Sequence, residues 1–218
     1  MYRPDRSSRN IFRELEEKNV WHLAEKIYHK YKVKWRGPEI DIYIFPAASG
    51  GLFSRNIGKS GVSFKKMLFL FLPPNIDEKE LEALFVHEYH HSSRINRQKK
   101  NLEDYTLLDS IILEGLAEHA VELHCGKKYR GKWCTLYSRE EIEQFWKKIL
   151  KNHLNATKEE RIHQKLLYGE KPYPHLLGYA AGYEIIKVYK EIKSYSTKTS
   201  FTAPSEYFVN QTIFNLDI

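Results

Sequence analysis

Apolar residues in the first part of the chain follow a helical spacing and then give way to short apolar runs. Between about Ser8 and Lys32 they recur every three or four positions, which predicts one helix that ends before Gly37-Pro38. The run IDIYIF at 40–45 predicts a strand, because it is rich in β-branched and aromatic residues, and Pro46 closes it. A second strand is predicted over Val62 to Leu72, and turns or flexible loops are predicted at Ser49-Gly50-Gly51 and from Gly58 to Gly61.

The remainder of the chain has a mostly helical pattern. A long helix is predicted from about Asp77, which can cap it together with Glu80 three residues later. Further helices are predicted over 105–124, 138–153, 158–168 and 174–192. Strands that come early and helices that come late predict a single α+β domain over 1–218, with an α/β lobe over 1–100 and a helical lobe over 101–218.

The long helix carries the sequence His87-Glu88-Tyr89-His90-His91, which matches the pattern H-E-x-x-H. Positions four apart lie on the same side of an α-helix, so His87 and His91 can bind one zinc ion. Glu88 points into the same cleft without easily reaching that ion, which leaves it as a general base. His90 lies on the opposite side and is expected to face solvent.

Glu88 and His91 also fall on a stripe of the helix that is expected to be buried. Burying polar groups without partners is costly, and a bound metal ion would satisfy them. The alternative is that these are core side chains with ordinary partners. The apolar members of the stripe are Leu81, Leu84 and Ile95.

A zinc site of this kind needs a carboxylate from a second helix, and Glu114 is the candidate. It lies on a face of the 107–125 segment that is otherwise made of apolar and small residues. Glu118, one turn later, is predicted to accept the free ring N–H of a zinc-bound histidine. An ion pair of these glutamates with Arg94 or Arg97 is the alternative, and Glu118, His119 and His124 are other possible ligands, although His119 is predicted to point away.

Composition and charge limit the other classes of function. The net charge of +7 would suit a nucleic-acid partner, but the lysines are spread along the chain and no groove-reading or stacking motif accompanies them.

The cysteines, Cys125 and Cys134, match no zinc or disulfide framework, which predicts reduced thiols. The charged N-terminus and the short apolar run Met67–Leu72 predict a cytoplasmic protein with no membrane span. The oligomeric state is not indicated.

The stretches LEALFVHEYHH, LLDSIILEGLAEHAV and GYAAGYEII resemble the YjaZ-like family of predicted zinc-dependent proteases of Gram-positive bacteria. The resemblance covers nearly the whole chain, including the opening MYRPDRSS and the GKSG loop. It implies a zincin-like fold, a zinc cofactor and peptidase activity on a peptide or protein substrate. Members of that family carry additional residues before the Met-Tyr-Arg-Pro stretch, so this chain is expected to be a shorter form.

Zinc bound by His87, His91 and Glu114 would leave a fourth position for water, whose proton Glu88 would accept during attack on a peptide carbonyl. The G-Y-x-x-G-Y element of the family implies Tyr179 as the donor to the developing oxyanion. His175 is the second choice, because a helix that opens at Pro174 would give it a similar direction. The alternative is that the tyrosines are core aromatics.

Three further expectations complete this interpretation. The segment Val62 to Leu72 is expected to be an edge strand that pairs with an extended substrate, with an internal strand as the alternative. Asp109 and Arg94 are expected to be cap or ion-pair residues. The alternative function is a zinc-stabilised, catalytically silent module that binds proteins in a regulatory or chaperone-like role.

Overall fold

The computed structural model describes residues 6–47, 59–210 and 212–214. The chain divides into two compact units, Met1–Ser93 and Arg94–Ile218. The loop predictions at Ser49-Gly50-Gly51 and at Gly58 lie outside the described residues. The prediction of a single domain stays a prediction.

The first unit contains a small sheet and the first helices. Its elements are α1 (Arg6–Glu17), α2 (Val20–Trp35), β1 (Asp41–Pro46), β2 (Ser60–Ser63), β3 (Met67–Leu72) and most of α3 (Glu78–Arg97). The strand order is β1-β3-β2, with β1 parallel and β2 antiparallel to β3. Side chains alternate between the two faces of the central strand β3, and those on one face, Leu68, Leu70 and Leu72, are fully buried.

Two of the secondary-structure elements predicted for this unit are wrong in detail. The helix predicted from Ser8 to Lys32 is two helices, since Asn19 adopts a left-handed conformation (φ 52°, ψ 41°) that asparagine tolerates better than most residues. The strand predicted over Val62 to Leu72 is the hairpin β2–β3. The N–H of Phe64 donates to the carbonyl of Met67 (2.8 Å) across the Lys65-Lys66 turn, which carries none of the usual turn residues.

Helix α3 is buried on several of its sides, and not only along the apolar stripe that the sequence predicts. It begins as predicted, with Asp77 accepting a hydrogen bond from the N–H of Glu80 (2.8 Å). Further along, Tyr89 stacks on Trp35 of α2 at 5.8 Å. His90 was expected to face solvent, but it is only 2% exposed and packs edge-on against Trp35 at 5.9 Å. The helix therefore lies in an aromatic environment at Tyr89 and His90.

The second unit is a helical bundle. Its helices are α4 (Leu107–Cys125), α5 (Arg139–Lys148), α6 (Arg161–Tyr168), α7 (Leu177–Ile192) and α8 (Thr197–Thr202), with short 3₁₀ turns at Leu102–Asp104, Lys127–Tyr129, Lys132–Thr135, Leu150–His153 and Ser205–Phe208. Helices α4 and α7 form the centre of its apolar core. Two glycines bring them together, because a Cβ on Gly115 would lie 2.1 Å from the carbonyl oxygen of Gly182.

Asp109 and Arg94 have the structural roles expected of them. Asp109 forms a capping box with Thr106 at the start of α4 and also accepts a hydrogen bond from Ser205 (2.6 Å). Arg94 is buried and donates to the carbonyl oxygens of Ser200 (2.7 Å) and Ala203 (2.9 Å).

The fold class is mixed α+β, mostly helical with one small three-stranded sheet, which confirms the predicted class at that level. In the described part of the chain, every helix is too short or too polar to cross a membrane. The cytoplasmic location stays a prediction.

A buried carboxylate, Glu82 on α3, provides a test of the first unit. Burial by itself raises its pKa, but hydrogen bonds from Lys30 (2.6 Å), Lys79 (2.7 Å) and Tyr31 (2.9 Å) outweigh this and lower the pKa to about 2. A pKa depressed from 4.5 contributes stability above about pH 4.5 that is lost as the pH falls toward about 2. We expect Glu82→Gln to lower the free energy of unfolding by about 2 kcal/mol at pH 7.

Urea unfolding at pH 7 and at pH 3 measures this difference. Glu78→Gln, an exposed position on the same helix, is the control and should change stability little. The interpretation fails if the destabilisation by Glu82→Gln is as large at pH 3 as at pH 7.

Candidate metal centre

The imidazoles of His87 and His91 face each other on α3. Their Nε2 atoms are 3.0 Å apart and the rings are nearly perpendicular, at 83°. Two ligand nitrogens of a tetrahedral zinc site, each ~2.0–2.1 Å from the ion, are about 3.3 Å apart. The observed pair is close to that spacing, because one helical turn separates the two residues.

Glu88 lies between these histidines in sequence and is held by strand β2. The hydroxyl of Ser63 hydrogen-bonds the Glu88 side chain at Oε2 and lies 3.0 Å from the Glu88 carbonyl oxygen. Gly61, two residues earlier, leaves room for the same carboxylate: a Cβ there would lie 2.6 Å from Oε1. The side chain of Glu88 is thus fixed on one face of the β2–β3 hairpin.

Glu114 lies on α4, one residue before the close approach of Gly115 to α7. It is half-buried, while most of its neighbours along the helix are fully buried. The contact between the two glycines fixes the rotation of α4 against α7, and therefore the direction in which Glu114 leaves the helix.

The three predicted ligands form a group with the chemistry of a zinc site. Among the residues that the structure describes, His87, His91 and Glu114 each offer one ligand atom, and these atoms lie within 4.8 Å of one another. Two imidazole nitrogens and one carboxylate oxygen are a donor set that zinc accepts in catalytic sites. The residues present therefore fit this metal.

Glu118 has partners in its own unit. Its Oε2 accepts hydrogen bonds from the N–H of Gly131 (2.8 Å) and from the thiol of Cys134 (3.6 Å). Burial and the Glu118 carboxylate raise the pKa of the Cys134 thiol, which keeps it protonated. Cys125 and Cys134 are both thiols in the structure. The role of Glu118 as a partner of a metal-bound histidine stays a prediction.

His119 is occupied elsewhere, in agreement with its predicted direction. It stacks on Tyr183 at 4.5 Å, and its Nε2 lies 3.0 Å from the Tyr183 carbonyl oxygen. Burial lowers its pKa to about 4, so that it is neutral at pH 7 and can accept a hydrogen bond from Lys190 at Nδ1 (3.2 Å).

Tyr179 and His175 differ from each other in their surroundings. Tyr179 lies on α7, half-buried, with its ring against Trp133 (5.2 Å) and Tyr168 (5.8 Å). The helix predicted to open at Pro174, which was the reason for choosing His175, is wrong in its start. Helix α7 begins at Leu177, and Leu176 has a left-handed conformation (φ 51°) that separates His175 from the helix. His175 is exposed and does not share a helical face with Tyr179. The catalytic roles of Tyr179 and His175 stay predictions.

Comparison with known proteins identifies the class. Residues 20–210 match the model of a family described as "Predicted Zn-dependent protease (DUF2268)", and the chain belongs to this family. It is also 35% identical over 198 residues to "Uncharacterized protein YjaZ" of Bacillus subtilis (strain 168), a match that covers 90% of this chain and 76% of that protein. No solved structure matches. The resemblance seen in the sequence is confirmed.

Gly61 and Ser63 are the candidate site residues that sequence reasoning missed. Gly61 was interpreted as a loop signal, and Ser63 as part of a longer strand. The available signal was the glycine itself, because an isolated glycine in a strand often marks the close approach of another group.

We expect Gly61→Ala to displace the Glu88 carboxylate, since the added Cβ would lie 2.4 Å from Cγ of Glu88. Zinc content and melting temperature should stay near those of the wild type, while cleavage of an unstructured protein falls at least about tenfold. Ser60→Ala, in the same strand but on the other face, is the control. Wild-type cleavage by Gly61→Ala would show that the position of Glu88 does not matter.

Proposed function

We propose that this protein is a zinc-dependent peptidase with a zincin-like arrangement, in which His87, His91 and Glu114 hold the ion. The observation that supports this most directly is the grouping of those three ligand atoms within 4.8 Å. Membership of a family of predicted zinc-dependent proteases agrees with it. The bound ion would supply Lewis acidity, which acidifies water and polarises a carbonyl oxygen.

Glu88 is the proposed general base. Its carboxylate takes a proton from the attacking water and returns it to the leaving amine. The hydrogen bond from Ser63 restricts the carboxylate to one orientation, and the missing side chain of Gly61 leaves space beside Oε1. A base held in this way loses little further freedom when the reaction begins.

Strand β2 is the proposed binding edge for the substrate. In the sheet order β1-β3-β2 it has only one neighbour among the described strands, which supports pairing of its other side with an extended peptide. Of the segment Val62 to Leu72 that was predicted for this role, only Val62 and Ser63 lie in β2, since β3 is internal. Tyr179 is retained as the proposed oxyanion donor, with its ring positioned by Trp133 and Tyr168.

Replacing the proposed base is the direct test of activity. Glu88→Gln keeps the shape of the side chain but removes its basicity, so we expect cleavage of a fluorescent, unstructured protein to fall about 10²–10⁴-fold. Zinc content should remain near one ion per chain. Glu78→Gln, exposed at the start of α3, is the matched control. Equal cleavage by Glu88→Gln and wild type, or no cleavage by either, contradicts the proposal.

Replacing the proposed third ligand tests the metal assignment. We expect Glu114→Ala to weaken zinc binding at least about 100-fold, which is more than the loss of an outer-shell partner. Competition with a chromophoric chelator measures the affinity. Glu159→Gln, at an exposed position outside the helices, should bind zinc like the wild type. Unchanged zinc affinity in Glu114→Ala would assign the third position to another residue.

A further inference from the structure

The sheet has two chemically different faces at its β2 edge. Gly61 and Ser63 lie on the face that carries Glu88. Side chains alternate along a strand, so Ser60 and Val62 lie on the opposite face. The register pairs Val62 with Phe69 on β3, which extends that opposite face across the sheet.

The face opposite Glu88 is apolar and partly open to solvent. In the register, Tyr43 and Phe45 of β1 lie beside Phe69 and Phe71 of β3. The rings of Tyr43 and Phe69 stack at 5.1 Å, and those of Phe45 and Phe71 at 5.6 Å. At the β2 side, Val62 is 37% exposed and Phe64, whose ring meets Phe69 edge-on at 5.9 Å, is 42% exposed. Apolar side chains therefore extend to the strand edge.

The hairpin geometry sets which backbone groups of β2 face outward. The bond from the N–H of Phe64 to the carbonyl of Met67 makes that pair hydrogen-bonded. Because hydrogen-bonded and non-hydrogen-bonded pairs alternate in an antiparallel ladder, Gly61 and Ser63 direct their N–H and C=O groups away from β3. These are the two residues that contact Glu88, so an added strand would pair where the base is held.

We infer that the enzyme selects extended substrates with apolar side chains at alternate positions. This rests on the proposed peptidase function. A substrate residue opposite Gly61 or Ser63 would share their face, close to Glu88, whereas a residue opposite Val62 would lie on the aromatic face. Directly opposed side chains are in contact, and diagonal neighbours reach long or aromatic ones, so that residue meets both Val62 and Phe64. The substrate class is unfolded, apolar-rich polypeptide, in which every second residue is aliphatic or aromatic near the cleaved bond.

The test is cleavage-site profiling with a peptide library by mass spectrometry. The wild type should favour apolar over charged residues about tenfold at two substrate positions that are two residues apart. The substrate position between these two should show little preference. Val62→Lys should replace the preference at one of these positions with a preference for Asp and Glu. Val62→Thr, which keeps the β-branched shape, should weaken it without a switch. Val33→Lys, on α2 and 79% exposed, should leave the profile unchanged.

Each outcome separates this inference from the proposed function. If wild type cleaves no library member, the peptidase proposal itself fails. Cleavage without an alternating apolar preference overturns the inference and leaves the peptidase proposal intact. The same holds if the profile of Val62→Thr and that of a folded Val62→Lys equal the profile of the wild type.

Discussion

A buried helix face that carries titratable side chains must provide each of them with a partner, because an unsatisfied polar group in the interior costs several kcal/mol. Helix α3 carries Glu82, Glu88, His90 and His91 at exposures of 7% or less. Glu82 is neutralised by lysines, and Glu88 is hydrogen-bonded by Ser63. The Nε2 atoms of His87 and His91 lie 3.0 Å apart, an arrangement that suits the shared zinc ion of the function that we propose.

The same constraint links the sheet to the chemistry that we propose. Strand β2 is short and lies at an edge of the sheet that the described strands form, yet it supplies both the hydroxyl that bonds the Glu88 side chain and the glycine that makes room for it. Edge strands are exposed to unwanted pairing, and proteins usually keep them short or charged. Here the short edge ends in the Lys65-Lys66 turn, which limits how far another strand can pair with it. The β2–β3 hairpin thus both holds the Glu88 carboxylate and presents the edge of strand β2.

Sequence patterns were sufficient to predict elements whose residues share a regular pattern. They were insufficient where the conformation of a single residue or a short turn interrupts an element. The start of α3 was predicted within a residue from the pair Asp77 and Glu80, and the bounds of β1 were predicted within a residue from its β-branched and aromatic run. The break at Asn19 and the Lys65-Lys66 turn were missed, because neither carries a strong turn signal. His90 was misplaced because a helix packed on several sides has no solvent side there, and such packing is a tertiary property.

The central claim is that one zinc ion is bound by two imidazoles of α3 and one carboxylate of α4. Crystals grown with zinc, with diffraction data recorded on both sides of the zinc absorption edge, measure this directly. The account predicts a single strong anomalous peak per chain, about 2.0–2.2 Å from Nε2 of His87, Nε2 of His91 and a carboxylate oxygen of Glu114. A peak coordinated by other residues, or no peak in protein that retains zinc in solution, would contradict it.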